Sequence, residues 1–466
     1  MTTVTRPTPD VRRRWWGLAL IATAQFVVIM DTSIIGVALP DIQRALGFTP
    51  ETLSWVFNAY VVAFGGLLLL GGRLSDLLGA RKVFAAGWIV LLVGSVIAGL
   101  AGGVGVEIAG RVVQGAGAAL IAPAALTLLI TLFGGTADLP KAFAVYGAAA
   151  PIGGSVGVFL GGVLTEYAGW PWVFYVTVPI ALVVLLLTGA ALPSSQTGPT
   201  RSGRRRLDVG GALTSTLGLA ALVFAIVRAP EVGWISPQTL VPLVGGAALL
   251  VAFLAIEARV REPLLRLSLL RRPLLGGANL AQLLLGAAWI SMWYFLNLHL
   301  QNVLGATPFL AGAALLPMTA LIVLGMTTVS PRLAARYGTR AMVTWGFVLL
   351  AAGLVWLAFA GQGAYAVAVL PASLVAAAGM ALAFVPSLSA AISSAPQEDA
   401  GVASGLVNTS YQIGSALGLA VLIAVVSALP QPADGVDYGG GFLGAAIVAA
   451  VGALIALASL RAPRTR

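Results

Sequence analysis

The sequence predicts an all-α integral membrane protein with fourteen transmembrane helices. Composition carries the first part of this prediction: 59% of the 466 residues are hydrophobic, only 9% are charged, and the mean hydropathy is +0.98. Soluble domains carry about a quarter of their residues as charged side chains. The apolar residues also form runs of about 20, the length that a helix needs to cross a ~30 Å hydrocarbon core. The chain is therefore expected to fold in a lipid bilayer.

The individual helices follow from the hydrophobic runs taken in order along the chain. The 57 glycines allow neighbouring helices to approach closely in lipid. The predicted spans are residues 16–39, 53–72, 83–102, 106–131, 143–164, 172–192, 208–228, 238–257, 274–297, 309–329, 341–360, 365–391, 401–428 and 441–460.

The positive charges predict the orientation of these spans. An even number of spans places both termini on one side of the membrane. If that side is the cytoplasm, all but three of the 26 Lys and Arg residues lie in cytoplasmic loops or tails, the exceptions being Arg44, Arg111 and Arg228. This is the bias that the positive-inside rule describes. The net charge of +10 is thus a feature of topology, and nucleic acid is not an expected partner.

An internal repeat divides the chain into two halves. The segment 43–50, QRALGFTP, precedes span 2, and the segment 301–308, QNVLGATP, precedes span 10 at a constant offset. Each Thr-Pro pair is a helix-start signal, because Thr caps and Pro occupies the first turn. We therefore predict a six-helix domain over 1–200, two additional helices and a linker over 201–272, and a second six-helix domain over 273–466. Such repeats are typical of secondary transporters, whose substrate site lies near the midplane.

Three segments resemble a known family. Segment 71–82, GGRLSDLLGARK, joins spans 2 and 3; segment 111–117, RVVQGAG, lies in span 4; and segment 30–40, MDTSIIGVALP, ends span 1. With the layout, they resemble the major facilitator superfamily, specifically its fourteen-span drug:proton antiporter branch. The resemblance implies the major facilitator fold and proton-coupled export of hydrophobic or amphipathic small molecules, such as drugs or antibiotics, by alternating access.

Span 5 resembles the antiporter motif of that branch through Gly153, Gly157 and Gly161. Small residues four apart also form a smooth groove for a neighbouring helix. The motif is associated with export. Val158 stands where the family normally has Pro, so a metabolite uptake permease remains an alternative function.

Asp31 is the first candidate for proton coupling, because it lies sixteen residues into span 1. A carboxylate inside a membrane is costly unless it is paired or takes up a proton. A structural acid that is hydrogen-bonded within the bundle is the alternative interpretation. Arg111 and Glu107 are four residues apart on span 4, so they share one face and could pair. The resemblance places Arg111 near the proton path, whereas Glu107 could also be interfacial.

Two further groups of residues are candidates for other roles. Gln114 is a polar neighbour of Arg111, and span 9 concentrates Trp289, Trp293, Tyr294 and Asn297 in a half that has no charged residue between Pro273 and Pro331. These residues are expected either to pack or to line the substrate cavity. In the loop motif, the resemblance implies a conformational latch formed by Gly72, Arg73, Asp76, Gly79 and Arg81.

A membrane enzyme or a sensor is a remote alternative. An enzyme would need convergent His, Cys or paired acids, and the sequence has one His and no Cys. No cofactor or metal is expected, the driving force being a proton gradient. We expect a monomer in the inner membrane of a bacterial cell, with protons, lipid and an amphipathic small molecule as partners.

Overall fold

The computed structural model describes residues 11–50, 52–134, 136–193, 208–260, 273–361, 363–394, 400–429 and 438–460. Within these ranges the chain is helical, and fourteen long helices follow one another. We number them in chain order: α1 Val11–Leu46, α2 Trp55–Leu78, α3 Ala80–Gly99, α4 Val104–Phe133, α5 Leu139–Tyr167, α6 Thr177–Ala191, α7 Val209–Val232, α8 Pro237–Arg259, α9 Pro273–Leu298, α10 Pro308–Leu324, α11 Thr339–Ala358, α12 Leu370–Ser394, α13 Ala400–Ala428 and α14 Gly439–Ser459.

The predicted all-helical membrane fold is confirmed. In the described ranges, thirteen helices are long and apolar enough to cross a membrane. The remaining helix, α2, has 24 residues, and a shorter apolar helical stretch, Thr52–Leu68, covers its first part together with the turn before it. The predicted span 172–192 corresponds to the candidate span Trp172–Ala191, in which a short helix, Trp172–Tyr175, precedes α6.

The two copies of the repeat begin their helices differently. In the second copy Thr307 caps α10 as predicted, because its hydroxyl accepts the Leu310 N–H at 3.3 Å. In the first copy Thr49 caps as predicted, because its hydroxyl accepts the Thr52 N–H at 3.2 Å and its carbonyl accepts the Leu53 N–H at 2.9 Å. The difference is that the first copy enters α2 through the 3-10 turn Thr52–Ser54, and α2 itself begins at Trp55.

The helices pack as two groups with two seams between them. Helices α1–α6 contact one another, as do α9–α14, and the groups meet where α5 packs on α10 and α2 packs on α13. Helices α7 and α8 pack on each other, and α7 also contacts α2 and α13. The proposed domain boundaries near 200 and 272 lie outside the described residues, so that division stays a prediction.

The buried apolar residues show that the groups share a core at one end of the bundle. We call this the distal end: it is the end at which α1 finishes and α2 begins. One cluster joins the second group to distal residues of the first, including Ile34, Ile42 and Phe57. The other cluster contains the rest of the first group. From the second group, its buried described members are only Ala416 and Ala420 of α13. Among the described residues, the seam is thus closed most extensively at the distal end.

Candidate functional site

Asp31 lies on α1 with its side chain fully buried. Its Oδ2 atom is 2.8 Å from Nη1 of Arg111 on α4, whose side chain is also fully buried. Opposite charges this close offset part of the cost of removing each from water. The pair explains how one acid and one guanidinium are both accommodated within the bundle.

Gln114 extends the ion pair into a network over three helices. Its Nε2 atom donates to Asp31 Oδ1 at 3.0 Å and to Ser95 Oγ on α3 at 2.9 Å. Its Oε1 atom accepts from Arg111 Nη1 at 2.7 Å. Every polar atom of the Gln114 side chain is therefore engaged, which fixes its orientation.

Arg111 also contacts α2, through a backbone carbonyl and an aromatic ring of that helix. Its Nε atom donates to the Val56 carbonyl oxygen at 2.8 Å, and its guanidinium carbon lies 4.6 Å from the ring centre of Tyr60. A cation over an aromatic face is attracted by the ring quadrupole. The Tyr60 hydroxyl donates to the Val28 carbonyl of α1 at 3.3 Å. We call Asp31, Arg111, Gln114, Ser95 and Tyr60 the buried charge network.

Glu107 lies one helical turn from Arg111 but does not pair with it. Its side chain is fully buried among the helices. Its depth in the membrane, and with it the interfacial interpretation, stays a prediction. Neither carboxylate oxygen has a hydrogen-bond partner within the described residues, and the same holds for Nη2 of Arg111. The expected Glu107–Arg111 pair is replaced by the Asp31–Arg111 pair, because α1 supplies a carboxylate directly at the guanidinium.

Three glycines on successive turns of α5 lie against the backbone of α1. A Cβ atom at Gly153 would lie 2.3 Å from the Phe26 carbonyl oxygen, and one at Gly161 would lie 2.5 Å from that of Ile34. Gly157 meets the Met30 carbonyl in the same way, at 2.8 Å, immediately before Asp31. The α1–α5 contact therefore admits no side chain on this face, and it fixes the backbone that carries Asp31.

The candidate cavity residues of α9 lie where the two groups of helices meet. Asn297 and Trp293 face Gly36 of α1, where a Cβ atom would be 2.9 Å from Asn297 Nδ2 and 3.1 Å from Trp293 Nε1. The ring of Tyr294 lies 6.1 Å from that of Phe57 on α2. The ring of Trp289 lies 6.2 Å from that of Trp293 in a tilted arrangement, and all four residues are buried. Their contact with substrate stays a prediction.

The residues of the predicted latch surround the turn between α2 and α3. Gly79 forms this turn with φ +92°, a conformation that favours glycine. Arg81 donates to the Leu192 carbonyl at 3.4 Å, within its own helix group. A Cβ atom at Gly72 would lie 3.7 Å from Cβ of Pro123, and Arg73 lies in α2. The side chain of Asp76 is outside the described part of the chain, so the latch stays a prediction.

Sequence reasoning missed three contributors to this region. Ser95 and Tyr60 belong to the buried charge network, yet each is a common residue within an apolar span. Gly71, rather than Gly72, is the glycine that α4 requires, because its Cβ would lie 2.0 Å from the Ala119 carbonyl oxygen. The rotation of each helix decides these contacts, and one sequence contains no signal for it.

Two packed groups of membrane-length helices, with a buried ion pair inside the first group, are typical of membrane transporters built from two related halves. Residues 21–419 match the family model of the Major Facilitator Superfamily. The chain belongs to the Major Facilitator Superfamily.

Curated relatives resemble the chain over most of its length. The cephamycin export protein CmcT of Amycolatopsis lactamdurans is 40% identical over 92% of this chain and 89% of its own. The puromycin resistance protein of Streptomyces alboniger is 38% identical over 90% of this chain and 82% of its own. The tetracenomycin C resistance and export protein of Streptomyces glaucescens is 31% identical over 88% and 75%.

Solved structures share the fold at low sequence identity. The nucleoside transporter NupG superposes with a TM-score of 0.68 at 15% identity, over 96% of this chain and 100% of that one. A bacterial homologue of the human drug peptide transporters PepT1 and PepT2 superposes with a TM-score of 0.66 at 20% identity, over 96% of this chain and 98% of that one. These two likenesses concern the fold alone.

Proposed function

We propose that this protein exports amphipathic, antibiotic-like small molecules across a bacterial cell membrane in exchange for protons. The relatives named for the export of, or resistance to, cephamycin, puromycin and tetracenomycin C support the substrate class and the direction. The observation that carries the proton coupling is the ion pair of Asp31 and Arg111, fully buried at 2.8 Å between α1 and α4.

Protonation of Asp31 is the proposed coupling step. A proton on the carboxylate removes its charge and weakens its bond to Arg111, so the contact between α1 and α4 changes. The same stretch of α1 contacts α5 at Gly157 and α9 at Gly36. Because α5 packs on α10 of the second group and α9 itself belongs to the second group, a shift of α1 reaches the seam. Proton and substrate then favour different states, which couples their movements.

We place both termini in the cytoplasm, on the distribution of Lys and Arg along the chain. The distal end then faces outward, and the shared apolar core closes it there. In this orientation the present conformation is closed to the outside. The substrate is proposed to bind between the two groups of helices, near the aromatic residues of α9, in a protein that acts as a monomer.

Export is tested in a bacterial host that lacks its own drug pumps. Expression of the protein is expected to raise resistance to an amphipathic antibiotic and to lower its accumulation, and collapse of the proton gradient is expected to abolish both effects. Asp31→Asn should abolish resistance at equal membrane abundance. The matched control is Asp138→Asn, at an exposed ion pair with Lys141. Full resistance with Asp31→Asn, or faster antibiotic entry on expression, would contradict the proposal.

A further inference from the structure

We propose that Glu107 is a second proton-binding carboxyl, and that Arg111 exchanges its partner between Asp31 and Glu107 as a proton moves between the two acids. This inference rests on the proposed antiport function and adds a second acid to it. It starts from the fully buried carboxyl of Glu107, which has no hydrogen-bond partner among the described residues.

The surroundings of Glu107 favour its neutral form in this conformation. A carboxylate that is buried without a partner is far costlier than a neutral acid in the same place. Glu107 lies in the first turn of α4, but its oxygens accept no backbone N–H there. Asp31, in contrast, accepts bonds from both Arg111 and Gln114 and is stabilised as the charged partner. Together, Asp31, Arg111 and neutral Glu107 carry no net charge.

Arg111 has a donor available for a second acid. Its Nε and Nη1 atoms are engaged, whereas Nη2 has no partner within the described residues. Glu107 and Arg111 are four residues apart, about 6 Å along the helix axis and on one face. In the proposed exchange, Nη2 is the donor that binds an ionised Glu107 on the same face of α4.

The charged groups around this exchange are few. Among the described residues, those whose field acts on Glu107 are Arg111 on its own helix and Asp31 on α1. Tyr60 on α2 lies beneath the guanidinium, and α3 presents Ser95, which is hydrogen-bonded to Gln114. Helix α5 adds no charged group to this field among the described residues. The exchange thus involves two acids and one permanent cation.

The step conserves charge and atoms. The O–H bond of protonated Glu107 breaks, and the proton forms an O–H bond on the Asp31 carboxylate. Arg111 keeps its own protons and pairs with the newly ionised Glu107, so the trio remains neutral. Glu107 is the fourth residue of α4, which starts at the distal end. In the proposed orientation, Glu107 is therefore the acid that receives a proton from outside, and Asp31 is the acid that delivers it inward.

Infrared spectroscopy tests the resting protonation directly. The purified protein in lipid nanodiscs at neutral pH is expected to show the C=O stretch of a buried protonated carboxylic acid. Glu107→Gln should remove this band. Asp31→Asn mimics a protonated Asp31 and leaves Arg111 to pair with an ionised Glu107, so it should also weaken the band. The control Glu231→Gln, in contrast, should keep it. Glu231 is partly exposed and paired with Arg228 at 3.3 Å. A band that persists in Glu107→Gln would overturn the inference.

Transport assays separate this inference from the proposed function. In proteoliposomes, Glu107→Gln is expected to lower proton-driven export by about tenfold, with substrate counterflow, which needs no net proton movement, kept within about twofold of the wild type. Glu107→Asp should restore part of the export. If Glu107→Gln exports at the wild-type rate with a proton gradient, only the proposed role of Glu107 is overturned. The same result for Asp31→Asn would overturn the antiport mechanism. If counterflow is also lost, the infrared band decides.

Discussion

The guanidinium of Arg111 determines the geometry of the buried charge network. Its Nε atom binds the Val56 carbonyl and its Nη1 atom binds Asp31 and Gln114, so two separate edges of one planar group serve α2 and α1. A lysine ammonium is a single point donor and cannot reproduce this fork. The arginine is therefore required by shape as well as by charge.

Arg111→Lys is expected to impair both stability and coupling. Removal of one partner from a buried ion pair costs about 3–5 kcal/mol, and lysine should recover only part of this. We expect a lower midpoint of thermal unfolding in detergent and loss of proton-driven export. Arg228→Lys, at a partly exposed pair with Glu231, is the control and should match the wild type. Equal unfolding midpoints for both variants would contradict this role of Arg111.

The members of the network differ in how well the sequence predicts them. Asp31 and Arg111 could be identified because a charge within an apolar span is costly and therefore conspicuous. Their pairing could not, since it depends on how α1 and α4 are rotated and placed in depth. Glu107 was expected to share a face with Arg111, which is correct, but the nearer acid on another helix takes the ion pair.

The contact between α1 and α5 shows how glycine spacing positions an element. The four-residue period of Gly153, Gly157 and Gly161 matches the period of the α1 carbonyls that they meet. Neighbouring Gly154 is not part of this contact, because its nearest atom would be Ser33 Oγ at 3.6 Å. The sequence predicts the groove, but only the structure identifies α1 as its occupant.

Gly153→Ala and Gly154→Ala form a matched pair of variants. The first places a methyl group against the Phe26 backbone, and such overpacking costs about 1–3 kcal/mol. The second has room for the methyl group. We expect a lower unfolding midpoint for Gly153→Ala alone, measured by thermal unfolding in the same detergent. Equal midpoints would show that the helices are not in backbone contact here.

Glu166 joins the two groups of helices at the distal end. Its Oε2 atom accepts the N–H of Phe309 at 2.8 Å, in the first turn of α10. An acidic side chain is stabilised at a helix N-terminus, where backbone N–H groups lack partners. The bond therefore strengthens the α5–α10 seam on the side that the shared core already closes.

Glu166→Ala is expected to loosen the distal end. The chain has no Cys, so spin labels can be attached to cysteines introduced at exposed Leu100 and Phe359, at the distal ends of α3 and α11. Pulsed electron paramagnetic resonance should show longer distances in Glu166→Ala than in the wild type. Glu166→Gln retains a hydrogen-bond acceptor, so its distances should lie between those of Glu166→Ala and the wild type. Unchanged distances in Glu166→Ala would contradict a seam-closing role.

At the scale of the whole molecule, the sequence predicts the number of helices well and their junctions poorly. Hydrophobic length dictates the spans, because each must cross the same hydrocarbon thickness. The junctions follow local hydrogen bonds instead, as at Thr49, which accepts the N–H groups of Thr52 and Leu53 and begins a 3-10 turn ahead of α2. The π-helical turns His299–Val303, Gly325–Val329 and Tyr365–Val369 likewise have no periodic signal in the sequence.

The distribution of contacts links the ion pair to the whole transporter. The buried charge network lies within the first group of helices, while the seams lie on α5 with α10 and on α2 with α13. Helices α1 and α2 belong to both regions, since α1 packs on α5 and α9, and α2 packs on α13. A change of charge at Asp31 can therefore shift helices that contact each seam, as alternating access requires.

Simultaneous measurement of proton and substrate flux in proteoliposomes tests the central claim most directly. With the protein reconstituted and a pH gradient imposed, the wild type should move substrate in one direction and protons in the other, in a fixed ratio. Asp31→Asn should abolish both coupled fluxes, while Asp138→Asn should leave the ratio unchanged. Proton movement in the same direction as substrate, or full coupling in Asp31→Asn, would contradict the account.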